Sequence, residues 1–377
     1  MNFNMRYCLL VFLVVIVSQG FQSCIDDDMN EKPNLNAAEI ISDGGVIILN
    51  EGNFMYGNAS LSYYNPVTGK LINDIYYKQN GVPLGDIAES SVIYHGELFI
   101  VLNNSGKVVV VNLGRYPNLK AFEFTHKITE LLSPRYIHFI NSTKAYISDL
   151  YAKKIHIIDP VQYKKVNSID VSKRNPDFNQ HPTEQMIDYK DYIFTNCYSF
   201  DNMILVINSK TDKLVDSIEV LAQPNSMVMD KNNKLWVLCD GGFEGSNFEN
   251  TQPGLIRIDP ETRTVEKIFI LSTDHWPSEL SINGVGDTLY FLDKDVWKMS
   301  VNDDNLPDDP FISATDASGT KLFYSLGVNP VTSEIYVGDA IDHVQNGVVY
   351  RFLPDSTPID TIRVGIIPGF FCFVGEE

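Results

Sequence analysis

Leu61-Ser-Tyr-Tyr-Asn65-Pro66 is the first member of a series. The same phrase, an apolar strand closed by Asn or Asp and often followed by Pro, returns as Val108-Val-Val-Val-Asn112, Ile155-His-Ile-Ile-Asp159-Pro160, Ile204-Leu-Val-Ile-Asn208 and Leu255-Ile-Arg-Ile-Asp259-Pro260. These anchors are 47, 47, 49 and 51 residues apart. Degenerate copies surround Val296-Trp-Lys-Met-Ser300 and Val348-Val-Tyr-Arg-Phe352. Short strands recurring at this period predict an all-β propeller built of four-stranded blades.

Each repeat divides into four strands. In the third they are Pro182 to Tyr189, Tyr192 to Cys197, Met203 to Asn208 and Leu214 to Val220, separated by polar turns such as Ser209-Lys-Thr-Asp-Lys213. Inner strands are expected at 87–94, 134–140, 182–189, 224–230, 277–283, 323–329 and 367–374, which makes seven blades. The last of these has no partner after it, whereas strands at Val46 to Leu49, Ala59 to Tyr64 and Leu71 to Tyr76 have no inner strand before them. Joining the two ends closes the ring and removes its open edges.

The bulk composition agrees with one globular domain over residues 45–377. The 377-residue chain is 44% hydrophobic and 20% charged, and no Pro/Ser linker or charge block interrupts the repeat. A formal charge of −19 opposes a polyphosphate partner, whose affinity depends on basic side chains. Nucleic acid is therefore not an expected ligand.

Residues 1–23 read as an export signal: Arg6 is followed by the apolar run Leu9 to Val17, with Gly20 and Ser23 near a processing point. The segment ends at Cys24, and 24–44 is a polar, acidic stretch beginning Ile25-Asp-Asp-Asp28 that suits a flexible tether. The remaining cysteines of the domain, Cys197, Cys239 and Cys372, sit in or at the end of apolar strands without CxxC spacing. They read as small buried hydrophobes, with no disulfide or metal framework.

Several phrases carry a family resemblance. Ala145-Tyr-Ile-Ser148, Tyr192-Ile-Phe-Thr-Asn196, Leu289-Tyr-Phe-Leu-Asp293 and Ile335-Tyr-Val-Gly-Asp339 resemble the YVTN-type repeat of YncE-like seven-bladed propellers. Asn50-Glu-Gly-Asn-Phe54, Pro83-Leu-Gly-Asp86, Ser133-Pro-Arg-Tyr136, Glu184-Gln-Met186 and Gln223-Pro-Asn-Ser-Met227, with Trp236-Val-Leu-Cys-Asp-Gly-Gly242, resemble the Bacteroidetes surface-lipoprotein branch that includes BtuG-type cobalamin-binding proteins. That resemblance implies lipidation at Cys24 and an outer-membrane location facing the cell exterior. It also implies a corrinoid ligand and delivery to a TonB-dependent transporter, with the membrane touched through the lipid alone.

The face shared by the loops between second and third strands and by the inter-blade connections collects the unusual residues. Its aromatics Phe54, Tyr151, Tyr198, Phe200 and Trp276 suit the partly apolar plane of a corrinoid, and Asn103, Arg135, Gln185, Asn225 and Asp240 suit its peripheral amides. The inter-blade connection at Pro176-Asp-Phe178 belongs to the same face. No catalytic constellation emerges: GxSxG, Walker-type and GxGxxG phrases are missing and the seven His lack metal-ligand spacing. No cofactor is expected. Two other readings stay open at this level. Glu89, Glu184, Asn225 and Glu279 are spaced as one oxygen donor per blade, the arrangement of calcium-dependent lactonases, and propellers also serve as protein-interaction scaffolds.

Overall fold

Strand alternation explains how the blades stack. In the strand Glu97–Leu102, Leu98, Ile100 and Leu102 point to one side, into a core shared with Ile47, Leu49 and Leu61. Phe99 and Val101 point to the other, against Ile137, Ala145 and Ile147. Both faces are buried, so after Glu97 the strand is continuously apolar instead of alternating with polar residues. Seven such clusters occur among the described residues, one between each pair of neighbouring sheets.

The computed structural model describes residues 40, 44–172, 180–245, 248–317 and 319–375. The signal segment 1–23, Cys24, nearly all of the tether and the connection at 176–178 lie outside them. Residues Asn34–Glu377 form one unit. Ile40 is already buried in its core, so packing begins a few residues before position 45.

The chain forms a seven-bladed β-propeller. Inner strands run Ala88–Tyr94, Pro134–Asn141, Thr183–Tyr189, Pro224–Met229, Ser278–Ile282, Phe323–Val328 and Pro368–Phe373, for blades one to seven in that order. The seventh blade closes the ring: the C-terminal inner strand pairs antiparallel with Val46–Asn50, which pairs in turn with Ser60–Tyr64. Closure leaves no unpaired edge at the seam.

Two elements depart from the sequence expectation. The outer strand expected at Leu71 to Tyr76 is confined to Leu71–Ile72, and a short helix, Ile75–Asn80, follows. Asp74 takes a left-handed conformation that ends the strand, and Ile75, Tyr76 and Gln79 then share the buried face of the helix. Blade five has three ladder strands, its fourth position being taken by an isolated bridge between Val296 and Ile312. The intervening segment carries Pro307 and Pro310, which cannot donate to a ladder.

The recurring Asn/Asp has a local cause. Asp159 Oδ1 accepts the backbone N–H groups of Val161 and Gln162 at 2.9 and 3.0 Å. Asn65, Asn208 and Asp259 repeat the arrangement. Each side chain closes the hairpin between the third and outer strands of its blade as an Asx turn.

Candidate functional site

All seven inner strands are interrupted at the same level. The pairing register with the second strand shifts between Ala88 and Ser90, Pro134 and Ile137, Thr183 and Met186, Pro224 and Ser226, Ser278 and Ser281, and Phe323 and Ser325. In blade seven Asn50 pairs with Pro368 and Leu49 with Phe370, which leaves Gly369 over. A bulge inserts an unpaired residue and re-aims its side chain. Glu89, Arg135, Glu184, Asn225, Glu279, Tyr324 and Gly369, one from each blade, therefore surround the mouth of the central channel.

Bulges expose backbone groups, and neighbouring blades satisfy them. Ser90 Oγ donates to the Arg135 carbonyl at 2.5 Å, Asn225 Nδ2 to the Pro277 carbonyl at 2.7 Å, and Ser325 Oγ to the Pro368 carbonyl at 2.6 Å. The Met227 N–H donates to Gln185 Oε1 at 2.8 Å. The ring of side chains is thus held by bonds running from blade to blade.

The ring floors a cup of about 550 Å³. Tyr136, Tyr198, Phe243, Trp276, Phe323 and Tyr324 contribute its aromatic surface. Below it a narrower space of about 280 Å³ shares Glu51, Glu89, Tyr136 and Glu279 and continues between Val228, Leu326 and Phe371. The seventh position is built differently from the others. Gly369 has no side chain, and a Cβ there would lie 2.2 Å from Glu51 Oε1, so Glu51 occupies the space that this blade leaves.

Four glutamates and one arginine dominate the charge. Arg135 Nη1 lies 2.5 Å from Glu89 Oε2 and its Nε 2.6 Å from Glu184 Oε2. Burial works against the Arg135 charge, yet the flanking Glu184 and Glu89 hold its pKa above the ordinary arginine value. Burial raises Glu184 to about 7 although Arg135 opposes the shift, and raises Glu279 to about 7. Glu51 rises to about 8 through burial and repulsion from Glu89, against a 2.9 Å bond from the Tyr324 hydroxyl. Burial also pushes Glu89 upward. The floor consequently presents a mixture of carboxylates and carboxylic acids near neutral pH, able both to accept and to donate hydrogen bonds. Glu184 Oε1 is buried without a hydrogen-bond partner among the described residues.

The residues singled out from sequence divide into three groups. Arg135, Tyr198, Asn225, Asp240 and Trp276 line the cup. Asp240 accepts Gln223 Nε2 at 3.0 Å and the Gly242 N–H at 2.8 Å, and burial raises its pKa. The Trp276 N–H donates to Asp293 Oδ1 at 3.2 Å, which fixes the backbone while the residue as a whole stays 53% exposed at the rim. Gln185 lines the lower channel and not the cup. Phe54 and Tyr151, 63% and 60% exposed, stand on outlying loops, Phe200 packs edge-on against Phe243, and Asn103 Nδ2 bonds Ser133 Oγ at 2.8 Å. None of these last four lines the cup.

The donors weighed for a cation, Glu89, Glu184, Asn225 and Glu279, do reach one level, but the three carboxylates do not all lie within 4.8 Å of one another. Among the described residues the one group of three His, Cys, Asp or Glu donors within 4.8 Å of one another is His181, Cys197 and Asp201. Glu51, Tyr136, Tyr324 and Gly369 belong to the ring or its lining, although none of them is among the site residues expected from sequence. Glu51 stands beside Asn50, the end of a second strand, where the spacing of inner strands gives no signal.

Comparison with solved structures places the fold among widespread propellers. A quinonprotein alcohol dehydrogenase-like protein from Bacteroides thetaiotaomicron superposes with a TM-score of 0.65 at 15% identity, covering 88% of this chain and 78% of its own. A protein from Lactobacillus plantarum gives 0.62 at 11% identity over 88% and 99% of the two chains. The periplasmic gluconolactonase of Pseudomonas aeruginosa gives 0.60 at 11% identity over 87% and 99%. At such identities the likeness concerns the fold alone. A search of curated proteins finds no match. The profile of one family, however, spans residues 44–363, nearly the whole propeller, and the chain belongs to that family, described as domain of unknown function DUF5074.

Proposed function

We propose that this propeller captures a small molecule in the cup at its channel mouth and does not transform it, with a corrinoid such as cobalamin as the ligand. One observation carries the reading: a polar ring supplied by seven aligned bulges lies beneath an aromatic rim on the same face. Apart from Tyr77 of the helix and Phe124 of an outer strand, the large aromatics exposed among the described residues are on the loops of this face. Amides around the edge of a corrinoid have donors for the carboxylates of the floor and acceptors for its carboxylic acids. The apolar plane meets Trp276, Tyr198 and Phe243.

The same reading extends to location and partner. The lipid on Cys24 would hold the protein at the outer face of the outer membrane, where the loaded cup meets a TonB-dependent transporter. A lactonase-like hydrolase is the weaker reading, since Arg135 ties up Glu89 and Glu184 and the ring carboxylates lack a common focus.

Calorimetric titration with cyanocobalamin is the test. One-to-one binding at submicromolar concentration is expected, weakened about tenfold or more by Trp276→Ala, the loss typical of a central aromatic anchor. A wild-type titration without heat and without change in the corrinoid visible spectrum would remove the ligand. A melting temperature lowered by chelator and restored by Ca²⁺ but not by Zn²⁺ would instead favour the calcium-dependent reading.

A further inference from the structure

Beside the cup, behind Tyr198, lies a second cluster that the captured ligand does not require. His181 comes from the connection entering blade three, where its N–H donates to the Val171 carbonyl at 3.0 Å. Cys197 ends the second strand of that blade, Tyr192–Cys197, and Asp201 follows in the next loop. The three donor atoms lie within 4.8 Å of one another, and His181 Nδ1 is 2.7 Å from Asp201 Oδ2. Cys197 and Asp201 are fully buried, and the imidazole is partly exposed.

The backbone is bent to make this meeting. An extended chain would carry residue 201 about 13 Å beyond residue 197. Here Ser199 and Phe200 adopt consecutive left-handed conformations, with φ of 40° and 67°, and fold Asp201 back onto the end of the strand. Neither residue type favours that region, and strain of this kind is concentrated at clamps and binding sites.

We propose that His181, Cys197 and Asp201 form a binding site for a borderline divalent transition metal of the zinc type. One sulfur, one nitrogen and one oxygen make a donor set suited to zinc and unsuited to calcium or magnesium, which take oxygen ligands. Three protein ligands leave one coordination position for water or another donor. Binding releases the thiol proton, because the thiolate is the ligand, so affinity falls as pH is lowered. The site is wired to the cup. The Asp201 carbonyl accepts the Gln223 N–H at 2.8 Å, Gln223 Nε2 bonds Asp240, and Tyr198 stands next to Cys197. Metal occupancy therefore fixes one wall of the cup.

Titration of the full chain with Co²⁺ tests the assignment, since thiolate ligation produces an intense near-ultraviolet charge-transfer band. One equivalent is expected to raise the band and Zn²⁺ to abolish it. Cys197→Ser and His181→Gln should weaken metal binding about tenfold or more. Cys239→Ser, at the end of the second strand of blade four, should leave it unchanged. Circular dichroism identifies the variants that remain folded. A wild-type chain giving no band, or a folded Cys197→Ser protein giving a band of undiminished intensity, overturns the proposal.

Discussion

The two ends of the propeller follow opposite rules. On the face of the outer hairpins, Asn65, Asp159, Asn208 and Asp259 repeat one local device, a side-chain oxygen bonded to the chain two and three residues on. On the opposite face each inner strand breaks its ladder once, and the residues released from pairing are mostly charged or polar. One end spends its polar groups on its own backbone, so the same residue types recur there. The other directs them into a shared cavity, so each blade has diverged: Glu, Arg, Glu, Asn, Glu, Tyr and Gly hold equivalent places. Structure has been kept where a side chain serves its own turn, and chemistry has varied where it serves the centre.

That contrast breaks most readily at Arg135. Its guanidinium is the countercharge for both the partly buried Glu89 and the buried Glu184. Arg135→Met should cost on the order of 3–5 kcal/mol at pH 8, the usual consequence of leaving a buried charge without its partner. At pH 5 the orphaned carboxyls take up protons and the loss should shrink by half or more. Denaturant titrations at the two pH values measure both numbers, and an equal loss at both would show that the arginine acts by packing and not by charge.

A second effect should come from pH alone. Glu51, Glu184 and Glu279 have folded pKa values raised to about 8, 7 and 7. In the unfolded chain they titrate near 4.5, so between these limits the folded state binds more protons. Their contribution is complete below about pH 4.5 and is lost as pH rises through 7 to 8. A tenfold change in proton affinity corresponds to about 1.4 kcal/mol, so Glu51 alone accounts for about 5 kcal/mol at most. Melting temperature should fall steadily from pH 5 to pH 9, and Glu51→Gln, which keeps the bond to Tyr324, should flatten the slope. A wild-type profile that is level across this range would place the ring carboxylates in contact with bulk water.

The difference between the ends also explains what the sequence discloses. The Asx phrase is local, so it survives as a readable motif every fifty residues, and blade count, closure and most inner strands follow from it. Arg135, Asn225 and Glu279 are legible because each follows the start of an inner strand by one or two residues. A bulge, however, reverses the parity of alternation. Tyr136 and Gln185 hold the same place in matching bulges, but Tyr136 lines both the cup and the lower channel whereas Gln185 lines the lower channel alone. Phe54 and Tyr151 sit on loops that no periodicity positions, and aromatic character alone does not place them in the cup. The His181, Cys197 and Asp201 cluster is illegible for a sharper reason. It depends on left-handed conformations at Ser199 and Phe200, which those residue types argue against.

The smallest effect belongs to the hairpin face, and it is what makes the comparison strict. Asp159→Ala removes two hydrogen bonds from exposed backbone groups and one from the Gln162 side chain, all of which water can replace. The loss should therefore be about 1 kcal/mol. Asp159 is also far from the channel mouth, so ligand affinity should not change, and distant sites add independently. Combining Asp159→Ala with Arg135→Met should give the sum of the two destabilisations within about 0.5 kcal/mol. A clear departure from additivity would mean that the hairpin turns help set the geometry of the bulges. The two ends would then be one cooperative unit and not a fixed scaffold carrying a variable site.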